Sequence, residues 1–133
     1  MYKRILFYVD PEQTRIDRVE GLLDLVTQLD SRLIVLSVLP ENNENASEKK
    51  KKERDELEDR NWKFLYQIED VAFEREIKVS LMLEEGELHE TIASVVKSYE
   101  VDICATFPYK GINVEDLLSR LNSTPLLLIN QER

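Results

Sequence analysis

Glycine is scarce in this chain: Gly21, Gly86 and Gly111 are the three among 133 residues. A phosphate-cradling loop needs several, because backbone amides must approach phosphate oxygens closely and a Cβ obstructs that approach. Neither GxGxxG nor GxxxxGK[ST] can be written from these three, which excludes a Rossmann dinucleotide site and a P-loop. Cysteine is equally rare. Cys104 stands alone, so no intrachain disulfide can form, in keeping with a reducing compartment. His89 is the single histidine, with no cysteine or second histidine at ligand spacing, and an ordinary packing or surface role is expected for it. Basic residues are outnumbered 18 to 27 by acidic ones, a formal net charge of −9. Such a chain lacks the phosphate-neutralising surface of a nucleic-acid binder. No apolar run approaches about 18 residues, so no membrane span is expected, and the run ending at Asp10 is too short for a secretory leader. These absences describe a soluble cytoplasmic protein with one domain over residues 1–133.

What is present is an alternation of two hydrophobic periods. Ile5-Leu6-Phe7-Tyr8-Val9 is unbroken up to Asp10, the pattern of a strand buried on both faces. Ile16, Val19, Leu22, Leu23, Val26 and Leu29 follow at helical spacing, closed by Asp30-Ser31. Leu33 to Leu39 is a second interior strand ended by Pro40. Glu41 to Ser47 reads as a loop. Lys49 to Lys52, interspersed with Glu48, Glu53 and Glu56, then open a charged helix as a solvated surface; lysines there oppose the helix dipole, so its first turn is expected to fray. Leu57, Phe64, Leu65, Ile68 and Ala72 mark its apolar face. Ile77 to Leu83 alternates instead, with Lys78 and Ser80 on one face, as in an edge strand. Gly86 leads into a helix carrying Leu88, Ile92, Val95, Val96 and Tyr99. Val101 to Phe107 forms the fourth strand, Asn113 caps a short helix with Leu117, Leu118 and Leu121, and Pro125 to Asn130 is the fifth strand.

Five strands alternating with four helices imply a parallel sheet wound through right-handed crossovers, with helices on both faces. A continuously apolar second strand and an alternating third favour the order 3-2-1-4-5, which puts the switch point between strands 1 and 4. Asp10 and the segment from Thr106 to Asn113 would then face each other across the crevice. Asp10 is placed either to meet a ribose or a metal or to cap the loop that follows it, and capping is preferred. Tyr109 and Lys110 stand where an anion would be held, against the commoner reading of a solvated loop. Cys104, in mid-strand, reads as a small hydrophobe. Glu84 and Glu85 are adjacent on a strand and point to opposite faces, so they do not form an acid–base pair. A phosphoreceiver is excluded as well, since strand 3 ends in Glu84 in place of the phosphoaccepting aspartate and strand 5 ends in Asn130 with no lysine.

Lys3 to Asp10, Leu36-Ser37-Val38, Glu84-Glu85-Gly86, Tyr99 to Cys104 and Thr124 to Ile129, in that order, resemble the universal stress protein family. The resemblance spans nearly the whole chain. It implies the 3-2-1-4-5 sheet and, in many members, a dimer joined through the last strand. In the nucleotide-binding branch of the family, ATP crosses the switch point. Its adenosine contacts carry over to Asp10 and Val38, and its phosphates rest on a glycine-rich loop ending in Gly-Ser at the last helix. Here Phe107 takes the first glycine's place, Pro108, Tyr109 and Lys110 follow, and Ile112-Asn113 replaces Gly-Ser, with Gly111 the remaining glycine. Any cofactor contacts would therefore fall to Asp10, Val38, Gly111 and Asn113. The expectation is a non-enzymatic domain without a cofactor that has lost ATP binding and dimerises through Leu126, Leu127, Leu128 and Ile129. The alternative is a sensor holding ATP, AMP or a similar anion in the crevice.

Overall fold

β1 (Arg4–Tyr8) is the central strand of a five-stranded parallel sheet in the computed structural model, which describes residues 3–42 and 44–130. Ile5, Leu6 and Phe7 have no exposed surface because strands lie on both sides of β1 and helices cover both faces. Its neighbours are β2 (Arg32–Leu39) and β4 (Ile103–Thr106), with β3 (Val79–Glu85) and β5 (Leu126–Leu128) at the edges. The order β3-β2-β1-β4-β5 is the one read from the apolar runs. Tyr8 lies level with Leu36 on one side and Thr106 on the other, so β1 and β4 run out together at the crevice end while β2 continues to Leu39 alongside β3.

The strand boundaries differ from the sequence reading most at three strands: β4 (Ile103–Thr106) and β5 (Leu126–Leu128) are shorter at both ends than the apolar runs 101–107 and 125–130, and β3 starts at Val79, two residues after Ile77. β3 runs on to Glu85, two residues beyond the last apolar position, because its ladder to β2 is made by backbone groups and tolerates exposed side chains at an edge. Asn43, inside the predicted 41–47 loop, lies outside the described residues.

α1 (Glu20–Leu29) and α2 (Glu48–Glu74) belong to the crossovers leading to β2 and β3; α3 (Leu88–Ser98) and α4 (Val114–Leu121) belong to those leading to β4 and β5 and pack together, α3 also lying against β2. The first helix begins later than its stripe implies. Ile16–Arg18 is a single 3₁₀ turn, in which positions three apart share a side, so Ile16 and Val19 keep helical spacing without an α-helix. The lysine-rich start of α2 is helical from Glu48. Ser47 Oγ accepts a hydrogen bond from Lys50 N–H at 3.3 Å and offsets the unfavourable charge at that end.

Each return from helix to strand uses a non-glycine residue at positive φ: Asp30 (51°), Glu76 (59°), Glu100 (51°) and Asn122 (64°). For a side chain with a Cβ this region costs roughly 1–2 kcal/mol. Glycine removes that strain at an unfolded-state cost of about 0.4–1 kcal/mol. Glu76→Gly and Glu100→Gly are therefore each expected to stabilise the fold by ~0.5–1 kcal/mol, measured as a higher urea midpoint at unchanged slope. A lower midpoint for both would show that these turns are unstrained.

Candidate functional site

The segments leaving β1 and β4 meet at the switch point, and aromatic side chains fill the space between them. Phe107 is fully buried and meets Phe7 edge-on at 5.5 Å between ring centroids. Tyr109, only 4% exposed, packs edge-on against Phe107 at 5.7 Å and Tyr8 at 5.6 Å. The Tyr109 hydroxyl is hydrogen-bonded to the Thr14 hydroxyl of the β1–α1 loop. Tyr109 is thus a core residue joining two loops, which corrects its reading as a loop residue open to an anion.

A polar clamp closes over this plug. Gln13 Nε2 donates to the Lys110 carbonyl at 3.1 Å, and Lys110 N–H donates back to Gln13 Oε1 at 3.0 Å. One side-chain amide thereby pairs with a backbone residue 97 positions away. Asp10 holds the clamp from behind: Oδ1 accepts from Glu12 N–H at 3.0 Å, and Oδ2 accepts from Gln13 Nε2 at 2.6 Å. The capping role preferred for Asp10 is the observed one. Thr106, whose hydroxyl donates to the Phe107 carbonyl at 2.8 Å, is buried below.

The other candidate residues are more dispersed. Val38 is half-buried near the end of β2, paired with Glu84 of β3; carrying the β1–β2 register two residues past Tyr8–Leu36 puts it level with Asp10. Gly111 is exposed at φ 97°, with no atom within 4 Å of the position a Cβ would take. Asn113 caps α4, its Oδ1 accepting from Asp116 N–H at 3.0 Å. Its own N–H donates to His89 Nε2 at 2.9 Å, so the lone histidine is a buried strut between α3 and α4. With Nε2 accepting, the ring proton sits on Nδ1, which faces Glu87 Oε2 at 3.1 Å. The Glu90 N–H and then His89 hold the Glu87 carboxyl down at about 2.

Sequence reasoning did not single out Gln13, Thr14 or Asn61. Asn61 of α2 donates from Nδ2 to the buried Ser37 hydroxyl of β2 at 2.8 Å, while its buried Oδ1 has no hydrogen-bond partner among the described residues. Each lies among other polar or charged residues and its partner is remote, so no local pattern marks it. Cys104 is fully buried, and burial pushes its thiol up to about 12, as suits a small core residue. The cavity beside the β1–α1 loop, lined by Pro11, Glu12, Arg60, Lys63, Phe64 and Gln67, measures 210 Å³, below the roughly 300–1,000 Å³ of ordinary ligand pockets.

Burial raises the Tyr109 phenol to about 12, partly offset by hydrogen bonds from Thr14 and the Asp10 backbone. Burial raises Tyr8 as well, helped by the nearby Asp10 charge. An unfolded tyrosine ionises near 10.0, so the folded form retains these protons where the unfolded form has lost them. Their contribution is complete below pH 10 and declines as pH rises towards 12. Alkaline unfolding is therefore expected to begin near pH 10 together with a rise in tyrosinate absorbance, and to move higher in Tyr109→Phe. An unchanged alkaline midpoint in that variant would remove Tyr109 from this account.

A doubly wound α/β domain, with its switch point occupied by aromatic side chains and a glutamine clamp, is the class of protein this fold defines. The chain belongs to the universal stress protein family, whose family model matches residues 1–105. Among solved structures it is similar to a universal stress protein family protein from Burkholderia pseudomallei, at 18% identity, 96% coverage of each chain and a TM-score of 0.78. It is also similar to a family protein from Arabidopsis thaliana with AMP bound, at 12% identity, covering 98% of this chain and 92% of that one, TM-score 0.70. A third is the universal stress protein from Archaeoglobus fulgidus in complex with dAMP, at 16% identity, covering 96% and 97%, TM-score 0.66. At these identities the likeness speaks for the fold alone. Among curated proteins, none matches the sequence. Among the described residues, no helix is long and apolar enough to cross a membrane.

Proposed function

We propose that this chain is a non-catalytic universal stress protein domain that works without ATP, as a homodimer joined through β5. The supporting observation is the plug: Phe107 and Tyr109 occupy the space between the β1 and β4 ends, and the Gln13–Lys110 clamp closes it. A triphosphate there needs free amides at the β4–α4 loop. Pro108 has no N–H, Tyr109 N–H is engaged with the Phe107 carbonyl at 2.8 Å, and Lys110 N–H with Gln13. The carboxylate that would meet a ribose is already hydrogen-bonded on both oxygens.

A second reading has its own support. The relatives with AMP and dAMP bound carry a nucleoside monophosphate on this fold, and a monophosphate asks less of a phosphate loop than ATP does. In that reading Asp10, Val38, Gly111 and Asn113 surround the ligand, and Gln13 swings aside. Calorimetric titration of the full chain with ATP, AMP and cAMP separates the two. No heat of binding is expected for any of them, in the native chain or in Asp10→Ala. Saturable AMP binding that disappears in Asp10→Ala would replace the scaffold reading with the sensor.

A further inference from the structure

At the far edge of the sheet, away from the switch point, α2 overhangs the start of β3 and leaves an open groove of 730 Å³. Its lining is Glu69, Asp70 and Phe73 from α2, and Glu76, Ile77 and Lys78 with Val79 beside them. Phe73 is 81% exposed, far more than an aromatic ring of a settled surface usually is. Tyr66, two helical turns earlier on the same face, is 53% exposed and stacked on Trp62 at 5.6 Å. β3 is hydrogen-bonded to β2 alone among the described residues, and the groove opens at its first residue, Val79, where its free edge begins. The floor is apolar, with Ile77 buried.

Charge says what fits. Glu69, Asp70 and Glu76 form no ion pair among the described residues, and Lys78 is the one cation in the lining. In a chain of net charge −9, a second copy would bring the same carboxylates against these and be repelled. An anionic membrane surface is disfavoured for the same reason. A basic partner is attracted. An arginine can also lie over the exposed Phe73 face while its fork reaches a carboxylate. An extended segment adds hydrogen bonds along the β3 edge and presents alternate side chains to the groove.

We infer that the α2–β3 groove is a docking site for a partner protein's extended segment in which arginine or lysine alternates with apolar residues, added as a sixth strand beside β3. The aromatic overhang supplies the apolar contact, the three carboxylates select positive charge, and the same carboxylates keep copies of this chain apart at this edge. This site lies at the opposite edge from β5 and does not depend on whether the switch point holds a nucleotide.

The test is fluorescence anisotropy of the full chain with a labelled peptide alternating arginine and valine. Saturable one-to-one binding is expected, weakened at least about tenfold in Phe73→Ser and in Asp70→Lys. It is expected to be unchanged in Glu90→Lys, which alters an acid on α3, and to be weakened when alternate peptide amides are N-methylated. Circular dichroism confirms that the surface variants fold. Absence of binding overturns the proposal. So does equal affinity for an arginine–glycine peptide, or an equal loss in Glu90→Lys, since either reduces the effect to diffuse attraction. A concentration-dependent dimer abolished by Phe73→Ser would also overturn it, by showing that the occupant is a second copy.

Discussion

Phe107→Ala is expected to destabilise the protein by about 3–5 kcal/mol, the usual cost of emptying a fully buried aromatic site. Phe107 sits where β1 and β4 begin to part, with Phe7 on one side and Tyr109 on the other. Removing it takes a neighbour from both rings, and backbone paired into a central strand on one side cannot collapse into the gap. Domains of this kind are stable by about 5–15 kcal/mol, so the loss is a large fraction of the whole. Phe107→Leu, which retains most of the volume, should cost far less. Urea unfolding followed by tryptophan fluorescence measures both, and the ratio between them matters more than either number. If the alanine variant lost under about 1 kcal/mol, the aromatic cluster would be an incidental lining, and the crevice would be soft enough to open for a ligand.

The same residues show how far the sequence could be read. Sheet order followed from burial: β1 and β2 carry apolar residues at nearly every position, Ser37 being the one polar break inside β2's run, because both faces are covered, whereas β3 alternates because one face of an edge strand meets water. That contrast is a property of consecutive residues, so it is visible in one chain. The location of the crevice follows from the order, and the presence of Phe107 and Tyr109 in it follows from their place after β4. What the plug is fastened with was not legible. Gln13 reaches Lys110, and Thr14 reaches Tyr109 across 95 residues; each contact depends on one side chain in a polar loop with no period around it. His89 was likewise read as ordinary. Its burial comes from α3 packing against α4, and its bond to Asn113 forms only once both helices are in place. The 3₁₀ turn at Ile16–Arg18 was hidden for another reason, since its spacing of three is shared with an α-helix.

Leu128→Arg is expected to convert the proposed β5-linked dimer into monomers. β5 pairs with β4 through Cys104–Leu126, Ala105–Leu127 and Thr106–Leu128, and its other side is an edge. Leu126 and Leu127 are half-buried and Leu128 is 44% exposed, so apolar surface reaches the rim of the sheet. No charged residue occurs from Pro125 to Asn130, whereas the other edge carries Lys78, Glu84 and Glu85. Self-pairing is therefore opposed by charge at β3 and unopposed at β5. A two-fold interface repeats each side chain, so one substitution buries two arginines with no acid to meet them. Leaving a charge buried and unpaired costs about 3–5 kcal/mol, roughly a hundredfold to a few thousandfold in the dissociation constant. Light scattering on a sizing column across a range of concentrations reads the outcome directly, with circular dichroism to show that the variant keeps its fold. A native chain that stays monomeric at the highest concentration, or a variant that stays dimeric, would move the assembly away from β5. A dimer surviving Leu128→Arg but lost in Phe73→Ser would place it at the opposite edge.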